Sequence, residues 1–330
     1  MNTLGKIFRI SVFGESHGPG IGVLIDGCPP GLVIKNESIM EDIDRRQGGR
    51  KGTTARREHD MPEIISGLYQ GVSTGAPLMV MTANLDKRSS DYREFIAMPR
   101  PGHADMTSRQ KFKAYADPHG GGHLSGRLTW GMVVAGSIAR LIIKPARVKA
   151  HLLSAGGNTD VESEINRALK DGDSIGGLIE CVASGVPAGL GEPLYYSSES
   201  AISQAIFSIP AIKGIEFGSG FRAASMRGSE HNDPIINSEG KTSSNNAGGI
   251  NGGISNGNDI VLRVAVKPPS SISKEQKTWN IEKNEMDILK IKGRHDACIA
   301  LRMPVIIEAA VALALADLTL INRAIYGGIK

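Results

Sequence analysis

The sequence predicts a mixed α/β (α+β) fold, and three observations support this prediction. Short apolar runs that predict β-strands recur along the chain, at residues 8–12, 23–25, 63–69, 77–84 and 179–183. Longer apolar stretches predict buried helices, and the longest lie at residues 128–144 and 303–321. A strand, a glycine-proline turn and an amphipathic stretch also follow one another twice, which predicts an internal duplication.

The two copies of this unit are centred on similar turns. Residues 27–32 read Gly-Cys-Pro-Pro-Gly-Leu, and residues 185–190 read Gly-Val-Pro-Ala-Gly-Leu. A predicted strand precedes each turn. After the first turn we expect a helix with Asn36 as its N-cap, and after the second an amphipathic stretch that contains Ile202 and Ile206.

The composition limits the class of protein. The 330 residues include 40% hydrophobic residues, 22% charged residues and 41 glycines, which is typical of a globular protein with many tight turns. The formal charge of +4 fits an anionic small-molecule substrate at least as well as a nucleic acid. The stretch at residues 303–321 contains Glu308, Asp317 and many alanines, so we expect a buried helix and no membrane span.

The cysteines and the N-terminus indicate the compartment. Cys28, Cys181 and Cys298 are odd in number, far apart and without metal-ligand spacing, so we expect reduced thiols and no metal site. The first residues lack an apolar segment followed by a small-residue cleavage site, so no secretory signal is predicted. These features together predict a cytoplasmic protein.

Two histidines lie in turns that are rich in glycine and proline. Residues 14–20 read Gly-Glu-Ser-His-Gly-Pro-Gly, and residues 100–105 read Arg-Pro-Gly-His-Ala-Asp. In the first turn an acid and a hydroxyl accompany His17, a combination that suits proton transfer beside an anion. The alternative for both His17 and His103 is a solvated histidine in a structural turn.

Two further segments predict anion binding. Residues 120–122 are all glycine and precede an apolar helix, so their backbone N–H groups could hold a phosphate; the alternative is a helix entry kept small for close packing. Residues 45–57 carry basic residues without an aromatic residue between them. This run predicts either a polyanion site or a solvated loop, and it disfavours single-stranded nucleic acid.

Two polar segments lie towards the C-terminus. Residues 239–258 are rich in Gly, Ser and Asn, which predicts a flexible linker or, because a strand is predicted directly after them, an ordered loop over a site. Residues 292–296 place a cation, an imidazole and a carboxylate in consecutive positions at 294, 295 and 296. On a strand only two of these three side chains could share a face.

Taken together, these segments resemble the chorismate synthase family over nearly the whole chain. The motifs that carry the resemblance are at residues 13–18, 44–46, 100–105, 120–122, 227–229, 246–250, 267–268 and 293–296. The resemblance implies a carbon–oxygen lyase of aromatic amino acid biosynthesis. Its reaction is the anti-1,4-elimination of phosphate from 5-enolpyruvylshikimate-3-phosphate to give chorismate, the last common step of the shikimate pathway.

The resemblance also implies the cofactor and the architecture. Reduced flavin mononucleotide (FMN) is required without net oxidation, and NADPH takes part only indirectly, in reducing the flavin. The family places helices between antiparallel sheets in a single domain, here residues 1–330, and it is typically a homotetramer. Neither a nucleic-acid partner nor a membrane partner is implied.

The resemblance assigns roles to individual residues. His17 would protonate the leaving phosphate, His103 would protonate the reduced flavin or stabilise its protonation state, and Asp296 would assist removal of the ring proton. The residues that would hold substrate anions are Arg46, Lys51, Arg100, Arg127 and Arg294. The residues that would contact the flavin are His123, Leu124, Ser125, Pro210, Ala211, Gly252, Lys267, Pro268, Pro269, Ser270, Ser271 and Arg294.

The chain departs from the usual family pattern in two places. Residues 121–129 read Gly-Gly-His-Leu-Ser-Gly-Arg-Leu-Thr where the family commonly has Gly-Gly-Arg-Ser-Ser-Ala-Arg-Glu-Thr. Pro210 stands where an asparagine is common, which removes a side-chain amide and a backbone donor. Both departures fall on expected flavin contacts.

Two other functions compete with this interpretation. Residues 45–57 could bind nucleic acid, in which case affinity would fall steeply with salt. A flavoenzyme with net redox chemistry would instead consume NADPH in proportion to product. Neither alternative explains why both His17 and His103 lie in turns beside cationic residues.

Overall fold

The computed structural model describes residues 2–55, 58, 60–85, 94–291, 293 and 295–327 of the chain. The strands are β1 (Thr3–Leu4), β2 (Arg9–Gly14), β3 (Gly20–Asp26), β4 (Glu63–Ser66), β5 (Leu68–Tyr69), β6 (Val72–Ser73), β7 (Leu78–Ala83), β8 (Arg147–Ala155), β9 (Gly177–Ser184), β10 (Ile212–Phe217), β11 (Ile250–Asn251), β12 (Ile254–Ser255), β13 (Ile260–Val266), β14 (Gln276–Asn280) and β15 (Glu285–Leu289). The helices are α1 (Asn36–Arg46), α2 (Glu94–Ala97), α3 (Asp105–Phe112), α4 (Thr129–Ile142), α5 (Val161–Lys170), α6 (Ser198–Phe207), α7 (Gly228–His231) and α8 (Met303–Tyr326). Short 3-10 turns lie at Lys113–Tyr115, His119–Leu124, Gly126–Leu128, Gly220–Ser225 and Ile299–Arg302.

Two antiparallel sheets form the outer layers of the molecule. The first has the strand order β1-β2-β3-β7-β4, and the second has the order β10-β13-β9-β8. In β13 the side chains of Ile260, Leu262, Val264 and Val266 are buried while the residues between them are half-buried, because successive side chains point to opposite faces of a strand. Each sheet therefore has one inner, apolar face.

The inner faces of the sheets are covered by helices. α4 packs on β3, α8 packs on β8 and β9, and the two helices pack on each other, with α1 against α4 and α6 against α8. Gly136 permits the close approach of α4 and α8, because a Cβ at this position would lie 2.4 Å from the Cβ of Ala309. The structure therefore confirms the expected class, in which helices lie between antiparallel sheets.

Helix α8 occupies the centre of the core. Together with the turn before it, at Ile299–Tyr326, it is long and apolar enough to cross a membrane, yet 83% of its most apolar window is buried inside the protein. A helix that is apolar on all sides is expected where neighbours surround it. The prediction of a buried core helix is confirmed.

The two halves of the chain share one topology. The succession β2-β3-α1-β4-β7-α4 in the first half is matched by β8-β9-α6-β10-β13-α8 in the second. The strand order within the sheets is also the same, β2-β3-β7-β4 and β8-β9-β13-β10. This agreement is what the predicted internal duplication requires.

The prediction of Asn36 as the N-cap is wrong, and of the two alternatives for residues 239–258 the ordered loop is confirmed. Lys35, not Asn36, is the N-cap of α1, because the carbonyl oxygen of Lys35 already accepts the N–H of Ser38 and Asn36 is helical. Residues 239–258 do not form a flexible linker. The carboxylate of Asp233 accepts the N–H groups of Asn246 and Ala247, both at 2.8 Å, so the segment is an ordered loop.

Buried ion pairs connect the layers. Glu308 of α8 is 1% exposed and accepts hydrogen bonds from both terminal nitrogens of Arg45, each at 2.7 Å. The same carboxylate accepts the N–H of Ala150 in β8. Because Arg45 belongs to α1, this one carboxylate joins α1, α8 and the second sheet.

Candidate active site

A cleft of about 1110 Å³ opens between the first sheet, the start of α4 and the segment before β10. Its size exceeds that of a typical single-ligand pocket, which is roughly 300–1,000 Å³. The predicted site residues that line this cleft are His17, Arg46, His103, His123, Leu124, Ser125, Arg127, Pro210, Ala211, Lys267, Pro268, Pro269, Ser270, Ser271 and Asp296.

Four predicted site residues do not line the described part of the cleft. The side chain of Lys51 is 60% exposed and lies 3.4 Å from Glu162. Arg100 is buried behind the cleft. Gly252 lies in the turn between β11 and β12, away from the lining residues. Arg294 falls outside the described residues.

His17 lies in the loop between β2 and β3, against the glycine-rich segment 120–122. The N–H of Ser16 donates to the carbonyl oxygen of Gly122 at 3.1 Å. Gly120 has a φ of +60°, and a Cβ there would lie 2.6 Å from Cδ2 of His17 and 2.8 Å from Oγ of Ser16. A glycine is therefore required at 120 for the histidine loop to pack against this segment.

The glycine segment 120–122 does not lead directly into helix α4. The 3-10 turns at His119–Leu124 and Gly126–Leu128 lie between them and Thr129, the first residue of the helix. The N–H of Leu128 donates to the carbonyl oxygen of Ser125, so the first turn before the helix is internally bonded. The contacts of Gly120 with His17 and Ser16 support the alternative of close packing, and phosphate binding by the N–H groups of 120–122 stays a prediction.

His103 is held by a carboxylate and an arginine. Nδ1 of His103 lies 2.6 Å from Oδ1 of Asp105. Nε and Nη2 of Arg100 donate to the two oxygens of Asp105, each at 2.8 Å, and Nη1 donates to Oγ of Ser271 at 3.2 Å. The contact through Nδ1 leaves Nε2 as the ring nitrogen that can exchange a proton with a ligand.

The ionisation of Asp105 follows from this arrangement. Burial raises the pKa of Asp105, but hydrogen bonds from Arg100 and His103, together with their charges, outweigh burial and hold the pKa well below its usual range. The carboxylate is therefore charged at neutral pH and accepts the hydrogen bonds that hold Arg100 and His103 in place.

The segment 267–271 is joined to the turn that carries His103. Nζ of Lys267 donates to the carbonyl oxygen of Gly102 at 3.0 Å and to Oγ of Ser270 at 2.7 Å. Oγ of Ser270 donates to the same carbonyl oxygen at 2.7 Å. Burial, and to a lesser extent the charge of Lys213, lowers the pKa of Lys267. These contacts place the ammonium of Lys267 and the hydroxyl of Ser270 on the turn that carries His103.

Arg46 and Arg127 form a buried cationic pair around Asp60. Nη2 of Arg46 donates to Oδ2 of Asp60 at 2.9 Å, and Nη1 of Arg127 lies 2.6 Å from Oδ1. Nη2 of Arg127 lies 3.0 Å from Glu58. Nη1 and Nη2 of Arg127 are thus buried against two carboxylates, and the arginine forms part of a charged cluster at the wall of the cleft.

The pKa of Arg46 reflects its burial. Burial is the largest cause, and together with the positive charges of Arg127 and Arg302 it outweighs Asp60 and lowers the pKa of Arg46 to about 10. Arg46 therefore remains protonated at neutral pH. Its neighbour Arg45 instead pairs with Glu308, so the two consecutive arginines of α1 serve different parts of the molecule.

Asp296 is fixed at the far side of the cleft. Its Oδ1 accepts the N–H of Thr54 at 2.9 Å, and its Oδ2 accepts from Nη2 of Arg302 at 2.8 Å. The carbonyl oxygen of Gly52 accepts the N–H groups of Ala297 and Cys298. Gly52 and Thr54 of the basic segment 45–57 are therefore docked on the residues around Asp296, while Arg50 and Lys51 remain exposed.

Several residues of the site were not predicted from the sequence. Asn84 donates to the carbonyl oxygens of Glu15 and Gly18 and accepts from Nε of Arg127 at 3.0 Å, so it fixes the His17 loop to the arginine pair. Asp105 lies within the quoted motif 100–105, and its position two residues after His103 is a signal that could have identified it. No comparable signal marks Asn84 or Asp60.

Residues 8–320 match the family model described as chorismate synthase. The chain belongs to the chorismate synthase family. It is 52% identical to the chorismate synthase of Chitinophaga pinensis over 98% of both chains, and 42% identical to that of Archaeoglobus fulgidus over 98% of both chains. A solved structure titled "Crystal Structure of Chorismate Synthase" matches 96% of this chain and 93% of its own, with 27% sequence identity and a TM-score of 0.75.

These similarities confirm the family, the fold and the lyase class that the sequence motifs predicted. The match extends over both halves of the duplicated fold. The matched residues include every element that lines the cleft except the N-terminal residues Asn2, Thr3 and Leu4 in and next to β1. The chorismate synthase fold of this chain therefore includes the cleft as an integral part.

Proposed function

We propose that this chain converts 5-enolpyruvylshikimate-3-phosphate to chorismate by anti-1,4-elimination of phosphate in the cleft described above. The observation that carries the proposal is the placement of His17 and His103 on either side of the glycine segment 120–122, in one cleft with Arg46 and Arg127. An elimination of phosphate needs a proton donor near the leaving group and cations for the anionic substrate. This cleft contains both.

Reduced FMN fits the donors of this cleft. The space of about 1110 Å³ can hold a flavin beside a small substrate. The ammonium of Lys267 and the hydroxyls of Ser125, Ser270 and Ser271 line it, as a phosphate-bearing cofactor would require. The cofactor supplies electron density to the substrate transiently and without net oxidation. The flavin contacts from Pro210 and Arg294 belong to the same proposal, whereas Gly252, which does not line the cleft, is left out of it.

His17 is proposed to protonate the leaving phosphate. A phosphate beside the imidazole favours the imidazolium form, so the side chain can act as an acid near neutral pH. Arg46 and Arg127, whose planar guanidinium groups suit oxyanions, are proposed to hold the substrate anions. The fixed position of the Ser16–Gly122 contact keeps the donor in place as the phosphate leaves.

His103 is proposed to hold a proton at Nε2 towards the flavin, while Asp105 occupies Nδ1. Arg100 then acts as a positioning residue through Asp105 in place of the substrate contact expected from the sequence. Asp296 is proposed to assist removal of the ring proton. Thr54 and Arg302 hold its carboxylate in place for that role. Lys51, which pairs with Glu162 at the surface, is proposed to attract anions before they enter the cleft.

The proposal extends to the cellular setting. NADPH is proposed to act only indirectly, by reducing the flavin. A homotetramer in the cytoplasm is proposed because the family typically has this assembly and because the three cysteines are free. No nucleic acid or membrane takes part in the proposed reaction.

The test is anaerobic turnover of 5-enolpyruvylshikimate-3-phosphate with photoreduced FMN, in which phosphate and chorismate are both measured. We expect equal amounts of the two products, and none with oxidised FMN. Phosphate release that depends on NADPH consumption in proportion to product would favour a net redox enzyme instead. Absence of phosphate release despite tight flavin binding would refute the proposed reaction.

His17→Ala and His103→Ala are expected to lower kcat by about 100-fold or more while the protein stays folded, because each removes a proton carrier from a loop. Steady-state kinetics and thermal unfolding of both variants measure this. His151→Ala is the matched control, since His151 lies in β8 with a 60% exposed side chain, outside the cleft. Wild-type turnover in either cleft variant would contradict the role given to that histidine.

A further inference from the structure

A second histidine–carboxylate pair lies directly behind His17. Nδ1 of His119 lies 2.6 Å from Oδ1 of Asp117, and the backbone N–H of His119 donates to the same oxygen at 3.0 Å. The distance between the ring nitrogen and the carboxylate equals that of the His103–Asp105 pair on the other side of the glycine segment. Asp117 therefore fixes both the backbone and the ring of His119.

The fixed ring of His119 contacts the ring of His17. The two ring centroids are 6.3 Å apart, and the planes are stacked with an angle of 29° between them. On the adjacent side His17 faces Gly120, where a Cβ would approach within 2.6 Å. His119 and Gly120 are consecutive residues, so one short segment borders the His17 ring on two sides.

The segment 117–123 is itself tied to the loop that carries His17. The N–H of Ser16 donates to the carbonyl oxygen of Gly122, and Nδ1 of His123 lies 3.1 Å from the carbonyl oxygen of Gly14. His119 does not line the described part of the cleft, whereas His17 does. The link from His119 to the cleft that the structure shows is its stacking on His17.

We propose that Asp117 and His119 are positioning residues that hold the imidazole of His17 in its orientation for proton transfer. The pair has no contact with substrate or cofactor; it acts by restricting the ring of His17 between a stacked imidazole and the backbone of Gly120. The inference rests on the proposed function, because His17 is the proton donor in that function. It adds a pair of residues that was not predicted as part of the site.

The test compares His119→Ala, Asp117→Ala and the double variant with wild type in the phosphate-release assay. We expect each single variant to lower kcat about tenfold, since a small misplacement of a reacting group has effects of this order or larger, with KM changed less than about twofold. The double variant should be no slower than His119→Ala, because Asp117 acts through His119. A wild-type kcat in either single variant, or a rise in KM in place of the loss in kcat, would overturn the proposal.

A second readout does not depend on turnover. The ring Cε1–H signal of His17 in a ¹³C-labelled histidine sample is assigned by its loss in His17→Ala. We expect His119→Ala and Asp117→Ala to move this signal, and His151→Ala, a remote control, to leave it unchanged. If the wild-type enzyme releases no phosphate, the proposed function fails. The NMR signal of His17 then tests the positioning role by itself, and a signal that does not move in either variant overturns that role.

Discussion

Adjacent residues of one type have different roles in this protein because the fold turns them in different directions. Arg45 and Arg46 follow one another on α1, where successive side chains point about 100° apart. Arg45 binds Glu308 in the core, and Arg46 binds Asp60 beside the cleft. Residue type predicted a cationic site here, but the partner of each arginine is a property of the packing.

Arg127→Ala is expected to weaken substrate binding by about 2–3 kcal/mol, because Arg127 lines the cleft and its guanidinium is proposed to bind a substrate anion. Equilibrium binding of 5-enolpyruvylshikimate-3-phosphate measures the change. Arg263→Ala is the control, since Arg263 pairs with Glu216 in the second sheet. An unchanged dissociation constant for Arg127→Ala would remove this residue from the substrate site.

Asp105→Asn is expected to make the free energy of unfolding fall less as the pH is lowered. The folded-state pKa of Asp105 is lowered, so its contribution to stability is present above the unfolded-state pKa of about 3.9 and is lost as pH falls below that value. The free energy of unfolding of wild type should therefore exceed that of the variant by about 1 kcal/mol less at about pH 3 than at about pH 5. Urea unfolding at both pH values measures this, and a constant difference would contradict it.

At the scale of elements, the site is built where loops from separate parts of the chain pack on one another. The β2–β3 loop carries His17, the segment 120–122 packs against it, and Asn84 after β7 bonds to both the loop and Arg127. Lys267 joins the His103 turn to the end of β13. Each loop is short and anchored by a strand or helix, so the functional side chains are held on rigid elements.

Gly120→Ala is expected to lower kcat at least tenfold, because its Cβ would collide with His17 and Ser16. The left-handed φ of +60° adds a cost of about 1 kcal/mol in stability. Gly157→Ala is the matched control: it has a φ of +84° but no atom within 4 Å of the added Cβ. We expect the control to lose stability and keep its turnover; equal turnover in both variants would show that the close approach to His17 has no functional role.

At the scale of the whole molecule, carboxylates of the central helix connect distant segments. Asp317 of α8 is 1% exposed and accepts the N–H groups of Lys6, Ile7 and Phe8 at 2.7–2.9 Å. It also accepts the hydroxyl of Tyr196, whose pKa is raised by burial and by this carboxylate. The N-terminal strand, which borders the cleft, is thereby joined to the core of the fold.

Asp317→Ala is expected to lower the free energy of unfolding by about 3 kcal/mol, because it leaves buried backbone donors without their acceptor. Urea unfolding followed by circular dichroism measures the change. Glu162→Ala, which removes an exposed surface ion pair, should cost less than about 1 kcal/mol and serves as the control. Equal stabilities for the two variants would contradict the role assigned to Asp317.

Much of this architecture is visible in local sequence patterns. The strand pairs around residues 8–25 and 63–84, the apolar helices at 128–144 and 303–321 and the duplicated turn unit all appear in the structure near their predicted positions. These features follow from side-chain periodicity and turn chemistry, which act over a few residues. The glycines and histidines of the motifs likewise marked the loops that line the cleft.

By itself, the sequence determined the family and the class of fold, and it marked His17 and His103, which both line the cleft. Only the tertiary structure decided which distant groups meet: the ring of His119 beside His17, Asp60 between Arg46 and Arg127, and Glu308 on Arg45. The physical reason is distance along the chain. Glu308 and Arg45 are 263 positions apart, and such a contact depends on how complete layers pack, which no local pattern of residues encodes.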